Sequence, residues 1–186
     1  MSKKSSRIKS FQNGSRESIS SHLTGSSNEN LSLSSKDDKD KVDKILLQRV
    51  HFQVYYLGVV QKINMTNSKN RDTEPQLVDI VEESQIEGKL QVKASEENKV
   101  LMFVSRHGIK VMDVSGQEVL HRHPLHTIAQ LIQYTDGSGH QNIAVKVGQV
   151  GKHLYQCYVF QCHAQDQATN ICDCVRRIFD AITTKS

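Results

Sequence analysis

The 186-residue sequence predicts an α+β domain: a seven-stranded antiparallel β-sandwich or barrel, with one helix after the first strand and a long helix closing the chain. Three observations carry that prediction. Short apolar stretches recur about every 8–12 residues with Gly-bearing turns between them. A single early interruption repeats at helical spacing instead. The last segment carries an apolar stripe in steps of three and four.

The elements follow in order. Phe52, Val54 and Tyr56 alternate with His51, Gln53 and Tyr55, the period of two of a half-buried strand. Leu57-Gly58-Val59-Val60 continues it, with Gly58 marking a bulge or a close backbone approach. Residues 64–74 are polar and read as a loop. Thr73-Glu74-Pro75-Gln76 then offers a capping box with Pro in the first turn. Leu77, Ile80 and Val81 follow at helical spacing and Gly88 suits a left-handed stop, which predicts a helix over 75–87.

Strands are predicted at 100–104, around Ile109 to Val114, from Val119 to His121, and at 127–134, 142–147 and 154–161. Arg106-His107-Gly108, Ser115-Gly116 and Asp136-Gly137-Ser138-Gly139 turn the chain between them, and Pro124 ends the short one. Ala164, Ala168, Ile171, Val175, Ile178 and Ile182, widened by Phe179, then form one face of a helix of about twenty residues. His163 stands at its expected cap, a poorer choice than Ser, Asp or Asn.

Charge divides the chain. Residues 1–50 carry ten Lys/Arg and six Asp/Glu, whereas 51–186 carry fourteen of each, so the net charge of +4 lies in the first fifty residues. A nucleic-acid-binding domain carries its surplus on the folded face that meets phosphate, so no nucleic-acid partner is expected. Thirteen of the first 35 residues are Ser, and Ile8, Phe11, Ile19 and Leu23 stand alone among them. Such a stretch buries too little area to offset backbone entropy. Residues 1–45 are therefore read as a disordered, Ser-rich basic tail and 46–186 as the folded domain. Val42, Ile45, Leu46 and Arg49 suggest a short amphipathic turn near that boundary.

The tail carries two regulatory signals. Lys3, Lys4, Arg7 and Lys9 form a basic cluster of the nuclear-import kind. Ser10 ends a basophilic kinase motif, and Ser34 and Ser35 each precede an Asp by three residues, as acidophilic kinases require. A merely solubilising tail is the plainer alternative. No apolar run approaches the ~18 residues of a membrane-spanning helix, and Met1-Ser2-Lys3-Lys4 is followed by no secretory apolar stretch. The four cysteines are expected as reduced thiols.

No enzyme, cofactor or metal is expected. His121, His123 and His126 beside Cys172 and Cys174 lack paired zinc-ligand spacing and read as structural residues. Asp136-Gly137-Ser138-Gly139-His140 lacks the Lys-Ser/Thr of a phosphate loop and reads as a hairpin turn. No nucleophile, base and orienter can be assembled from spacing.

Strand, helix, further strands and a terminal helix is the order of phosphotyrosine-binding (PTB) domains. The residues resemble that family: Phe52-Gln53-Val54-Tyr55-Tyr56-Leu57-Gly58 looks like its first strand, and Gly108-Ile109-Lys110-Val111 like its central hairpin. Within it, Val119-Leu120-His121-Arg122-His123, Tyr134-Thr135-Asp136-Gly137 and Tyr158-Val159-Phe160-Gln161-Cys162 are similar to the integrin beta-1-binding adaptors. So are Ala168-Thr169-Asn170-Ile171-Cys172 and Phe179-Asp180-Ala181-Ile182. The resemblance implies a PTB/pleckstrin-homology-like superfold and a non-enzymatic adaptor.

In that family an extended peptide adds to the edge of the domain's fifth strand, matched here by residues 127–134, beside the terminal helix. A bare edge is therefore expected there. The implied contacts are Thr127, Ile128, Ala129, Gln130, Leu131, Ile132 and Tyr134 on the strand, with Ile178, Phe179 and Ile182 on the helix. Ile128→Ala is expected to weaken binding without unfolding the domain.

The implied partners are the Asn-Pro-x-Tyr motif of an integrin beta cytoplasmic tail and a similar motif in a Krit-type ankyrin/FERM scaffold. Talin-type activators would compete for the tail. Glu82, Glu83 and Glu87 match acidic positions that would meet basic residues of the scaffold ligand. No Lys/Arg cluster assembles at the groove end, so unphosphorylated tyrosine is favoured. The expected setting is cytoplasmic, with nuclear shuttling and recruitment to the inner plasma membrane at adhesions. The competing reading is a phosphoinositide-binding adaptor, with at most peripheral attraction of the basic tail to a membrane.

Overall fold

The computed structural model describes residues 9–12, 34–47, 49–64, 74–148, 151 and 154–185. In order these are β1 (Lys9–Gln12), α1 (Ser34–Leu47), β2 (Val50–Asn64), α2 (Glu74–Ile86), β3 (Lys99–Ser105), β4 (Gly108–Met112) and β5 (Val119–Pro124). Then come β6 (Ile128–Thr135), β7 (Gln141–Gly148), β8 (Leu154–Cys162) and α3 (Gln165–Lys185). All strands join one antiparallel sheet in the order β1-β6-β7-β8-β2-β3-β4-β5. Strands β2–β8 with α2 and α3 make the seven-stranded PTB/pleckstrin-homology-like arrangement.

β2 bends the sheet. Its first part, Val50 to Tyr55, pairs with β3, and its second part, from Tyr55 onward, pairs with β8. The register with β8 shifts between Tyr56 and Gly58 and again between Val60 and Ile63. Each shift inserts a bulge that raises local twist, so one long strand serves both halves of the curved sheet. Gly58 lies at φ +130°, and a Cβ there would stand 3.4 Å from Leu90 Cδ1. The predicted bulge and the predicted close approach are the same residue.

The curvature creates two cores on opposite faces. The main core gathers Val54, Met102, Ile109, Val111, Leu131, Ile143, Val145 and Phe160 under Ala168, Ile171, Val175 and Ile178 of α3. The second packs Leu77, Val78 and Val81 of α2 against Leu57, Ile132, Tyr134, Ala144, Cys157 and Val159. Ala168, Ile171, Val175 and Ile178 of the α3 stripe are buried as the periodicity predicts and Phe179 and Ile182 are half-buried, while Ala164 lies just outside the helix and its carbonyl accepts from the Ala168 N–H at 3.3 Å. Gln167, not His163, organises the helix start: its Oε1 accepts from the His163 N–H at 2.9 Å, and its Nε2 donates to the Gln53 carbonyl at 2.8 Å.

The predicted helix over 75–87 is found at Glu74–Ile86, closed by Gly88 at φ +71°. The proposed capping residue Thr73 lies outside the described residues. Two ordered elements fall in the stretch expected to be a disordered tail. β1 is a strand and α1 a helix of 14 residues, longer than the short turn expected near Val42. Ile45 of α1 packs against the main core, a long-range contact that local composition cannot register. Among the described residues no helix is long and apolar enough to cross a membrane.

Candidate functional site

β6 is the terminal strand of the seven-stranded domain. Its inner neighbour is β7, in a register that shifts between Ile128 and Gln130. That bulge at Ala129 resets the alternation, so Ile128 and Leu131, three apart, both reach the main core, where they are 6% and 0% exposed. Past the bulge the faces alternate regularly. Ile132 and Tyr134 turn to the second core beneath α2. Gln133 turns to α3: its Nε2 donates to the Gln165 carbonyl at 3.4 Å, and its Oε1 accepts from the Thr169 hydroxyl at 3.2 Å.

The strand and helix residues expected to wall one groove are thus distributed over three surroundings. Ile128, Leu131 and Ile178 are core residues of the main cluster. Ile132 and Tyr134 lie on the opposite face, and the expectation that they line a groove with α3 is corrected: strict alternation sends neighbours 131 and 132 to opposite sides. Phe179 and Ile182 are half-buried at the margin of the main core, and Ala129 is half-buried at the bulge. Gln130 is buried with its Nε2 unpartnered, and the Thr127 hydroxyl donates to the Pro124 carbonyl at 2.7 Å.

The outer row of β6 is not bare. Lys9, Ser10, Phe11 and Gln12 of β1 stand across from Gln133, Ile132, Leu131 and Gln130 in an antiparallel ladder. The expectation of an open edge is therefore corrected: the chain's own tail covers it. The physical reason is that strand addition uses N–H and C=O groups, which every non-Pro residue carries, and demands no apolar content from the added segment. A composition argument that a Ser-rich tail cannot build a core is blind to that contact. Lys3, Lys4 and Arg7 lie outside the described residues, while Lys9 and Ser10 are in the paired strand itself. Ser34 and Ser35 open α1.

The acidic candidates sit elsewhere. Glu82 and Glu83 are on α2, and Glu87 follows its end, ion-paired to Lys89 at 2.6 Å. α2 covers the second core, so these acids lie on the far side of the sheet from α3.

A family model described as "Beta-1 integrin binding protein" matches residues 1–186. The chain belongs to that family. It is similar to "Integrin beta-1-binding protein 1" of Bos taurus, 33% identical over 135 residues that cover 72% of this chain and 67% of the relative. The Mus musculus protein of the same name is 32% identical over the same shares. The resemblance drawn from the strand and helix residues is thus correct at the level of the family.

For this family member, sequence reasoning missed one charged feature. A cleft of about 460 Å³ is lined by Arg49, His107, Lys110 and Arg122, with Phe103 and Pro124 among its apolar parts and no acid in its wall. Lys110 stands across from Phe103 on one side and Arg122 on the other, and its Nζ lies 4.9 Å from the Phe103 ring centre. Lys110 and Arg122 come from neighbouring strands and Arg49 from just before β2, so only the fold assembles them; the neutral total of 51–186, which leaves out Arg49, concealed the cluster.

Of the three histidines expected to be structural, His121 and His123 belong to an inward aromatic cluster, whereas His126 is exposed in the turn before β6. The His123 ring lies 4.2 Å from Tyr158 and 6.0 Å from His121, and Tyr56 lies 5.0 Å from His121. Burial, and then His121, depresses the His123 pKa to about 4. The same burial raises Tyr56 to about 12, with Tyr158 adding to it. Cys157, Cys162 and Cys172 are buried free thiols, each raised by burial to about 12, a range in which the reactive thiolate is scarce at neutral pH.

Proposed function

We propose that this chain is a non-enzymatic adaptor whose PTB domain binds Asn-Pro-x-Tyr-type segments by strand addition to β6. The first ligand is an integrin beta cytoplasmic tail; the names of the relatives say that those proteins bind integrin beta-1. The second is a similar motif in a Krit-type ankyrin/FERM scaffold. The observation that carries the reading is that β6 accepts an extended segment along residues 130–133, the stretch whose Gln133 meets Gln165 and Thr169 of α3. Main-chain bonds supply affinity for any extended segment, and pockets beside alternate residues supply choice.

Occupying an integrin tail restrains activation by mass action, because talin-type activators need the same segment. Basic residues of the scaffold ligand would meet Glu82, Glu83 and Glu87. Exposed pairs contribute only ~0–1 kcal/mol, so these acids tune selectivity rather than supply affinity. The adaptor works in the cytoplasm and at the inner face of adhesions, with Lys3, Lys4, Arg7 and Lys9 directing shuttling to the nucleus. Titration calorimetry with integrin-tail and scaffold peptides, each with and without tyrosine phosphate, tests the reading. Unphosphorylated peptides are expected to bind, and Ala replacement of their Asn-Pro step to abolish binding. No heat from any peptide would remove the proposal.

A second reading, a phosphoinositide-binding membrane adaptor, is favoured by the acid-free cationic cleft at Arg49, Lys110 and Arg122. It predicts that vesicles containing phosphatidylinositol bisphosphate pellet the protein and that Lys110→Glu/Arg122→Glu abolishes this. Equal pelleting by both proteins would attribute the attraction to the basic tail.

A further inference from the structure

We propose that β5 is a second strand-accepting edge: it takes an extended, anionic segment of a partner protein and seats the anion in the cleft of Arg49, Lys110 and Arg122. The inference goes beyond the reading of β6, because the two strands stand far apart in the sheet order. β5 ends that order on the side away from β1, and among the described residues its outer row of backbone groups has no partner strand. Pro124 carries no N–H, which suits an edge and limits the open row to Val119–His123. Exposure alternates along the strand: Leu120, Arg122 and Pro124 face outward, while His121 and His123 turn inward to Tyr158. A bare row of this kind recruits extended chains through main-chain hydrogen bonds.

The cleft beside this edge selects the ligand. Strand register sets His51, Phe103, Lys110 and Arg122 in one row across β2, β3, β4 and β5. Like charges directly opposite each other in a sheet are destabilising, and Lys110 and Arg122 hold that arrangement. Arg49 joins them in the cleft, and among the described residues none of the three cations is ion-paired with a carboxylate. Charges that cost stability and find no anion within the protein fit a binding role better than a structural one. Side chains directly across an antiparallel pair lie about 4.5–5.5 Å apart. An acidic or phosphorylated residue of an added strand, placed across from Arg122, therefore enters the cleft. An apolar residue two positions along meets Leu120, which is 38% exposed.

Two other occupants fit less well. A second copy of the chain, paired edge to edge, sets the cationic stretch of one β5 against the same stretch of the other, an arrangement that charged edges resist. A phosphoinositide headgroup fills the cleft but offers nothing to the backbone row or to Leu120, so edge and cleft together favour a peptide. Because β5 and β6 are different strands, a ligand on one leaves the backbone row of the other untouched, and the domain joins two partners at once.

The test uses the full chain and a labelled nonapeptide, Ser-Thr-Val-Thr-Glu-Thr-Val-Thr-Ser, which presents Val, Glu and Val on one face of a strand. Two counterparts carry phosphoserine or Lys in place of Glu. Fluorescence anisotropy is expected to show binding of the Glu and phosphoserine forms and none of the Lys form; equal binding of all three, or of none, would overturn the proposal. Hydrogen exchange locates the contact: slowed exchange within Val119–His123 is expected, and slowing confined to β6 would overturn it. Lys110→Met and Arg122→Gln are each expected to weaken binding of the phosphoserine form roughly 10-fold, the loss of one charge-assisted contact, and unchanged affinity would overturn the assignment of the cleft. The urea midpoint of Arg122→Gln is expected to hold or rise as the like-charge contact is removed, and a lowered midpoint would make the arginine structural. Vesicles containing phosphatidylinositol bisphosphate form the last arm. Pelleting of the native chain but not of Arg122→Gln, with neither anionic peptide bound, would give the cleft to lipid and overturn the proposal.

Discussion

Leu131 and Ile132 are consecutive residues, both fully buried, and they belong to different cores. Leu131 packs beneath α3 and Ile132 beneath α2, with the sheet between them. This one relationship divides the strand into a face that meets the terminal helix and a face that has nothing to do with it. Main-chain contact, rather than the large side chains of β6, is what the edge offers a partner.

Tyr134 gives the sharpest consequence. It is fully buried beneath α2 and its hydroxyl has no hydrogen-bond partner among the described residues. An unpaired buried hydroxyl costs about 1–3 kcal/mol in desolvation. Tyr134→Phe is therefore expected to be neutral or up to ~1 kcal/mol more stable, with unchanged peptide affinity. Urea unfolding and calorimetry on the same variant check both; a weakened affinity would return Tyr134 to the binding surface.

Ile128→Ala is expected to act on stability first. Ile128 is 6% exposed in the main core, and truncating a buried Ile to Ala costs about 2–5 kcal/mol. The expectation that it weakens binding without disturbing the fold is thereby revised. A urea midpoint shifted by less than the equivalent of ~1 kcal/mol would place the residue outside the core.

Gly108 allows no side chain. It sits at φ +112° where β4 meets β5, and a Cβ would lie 2.1 Å from the His123 carbonyl oxygen and 2.7 Å from the Leu125 amide nitrogen. Both neighbours are backbone, so neither can swing away. Gly108→Ala is expected to cost more than about 2 kcal/mol, read from the thermal or urea midpoint. The residue thus fixes the junction that leads through Leu125 and Thr127 into β6.

His123 makes stability depend on pH. Its folded pKa is depressed to about 4, while an unfolded histidine titrates near 6.5. Above that value both states are neutral at this group and it contributes no pH dependence. As pH falls from about 6.5 to about 4, the unfolded chain takes up a proton that the folded chain refuses, so stability falls. The loss from this group reaches about 2 kcal/mol at pH 5, and His121, depressed by the same burial, adds in the same direction. Urea midpoints at pH 7 and pH 5 measure it. His123→Phe is expected to flatten the difference, and an undiminished slope would assign it to other groups.

Periodicity determined most of the architecture because each element records its own solvent exposure. The alternation at 51–60 is β2, the step pattern from Ala168 is the buried face of α3, and Gly58 and Gly88 are a bulge and a helix stop. The family, too, was legible, from residues spread over 135 positions. Tertiary structure decided what periodicity cannot encode. The Ala129 bulge chose which face of β6 each apolar residue takes, strand register gathered Arg49, Lys110 and Arg122 into one cleft, and a four-residue tail segment found β6. Alternation and amphipathic steps are written locally, one side chain at a time. Which backbone row pairs with which is settled between segments, from about a dozen residues apart for Lys110 and Arg122 to more than a hundred for β1 and β6, through groups that every residue carries alike.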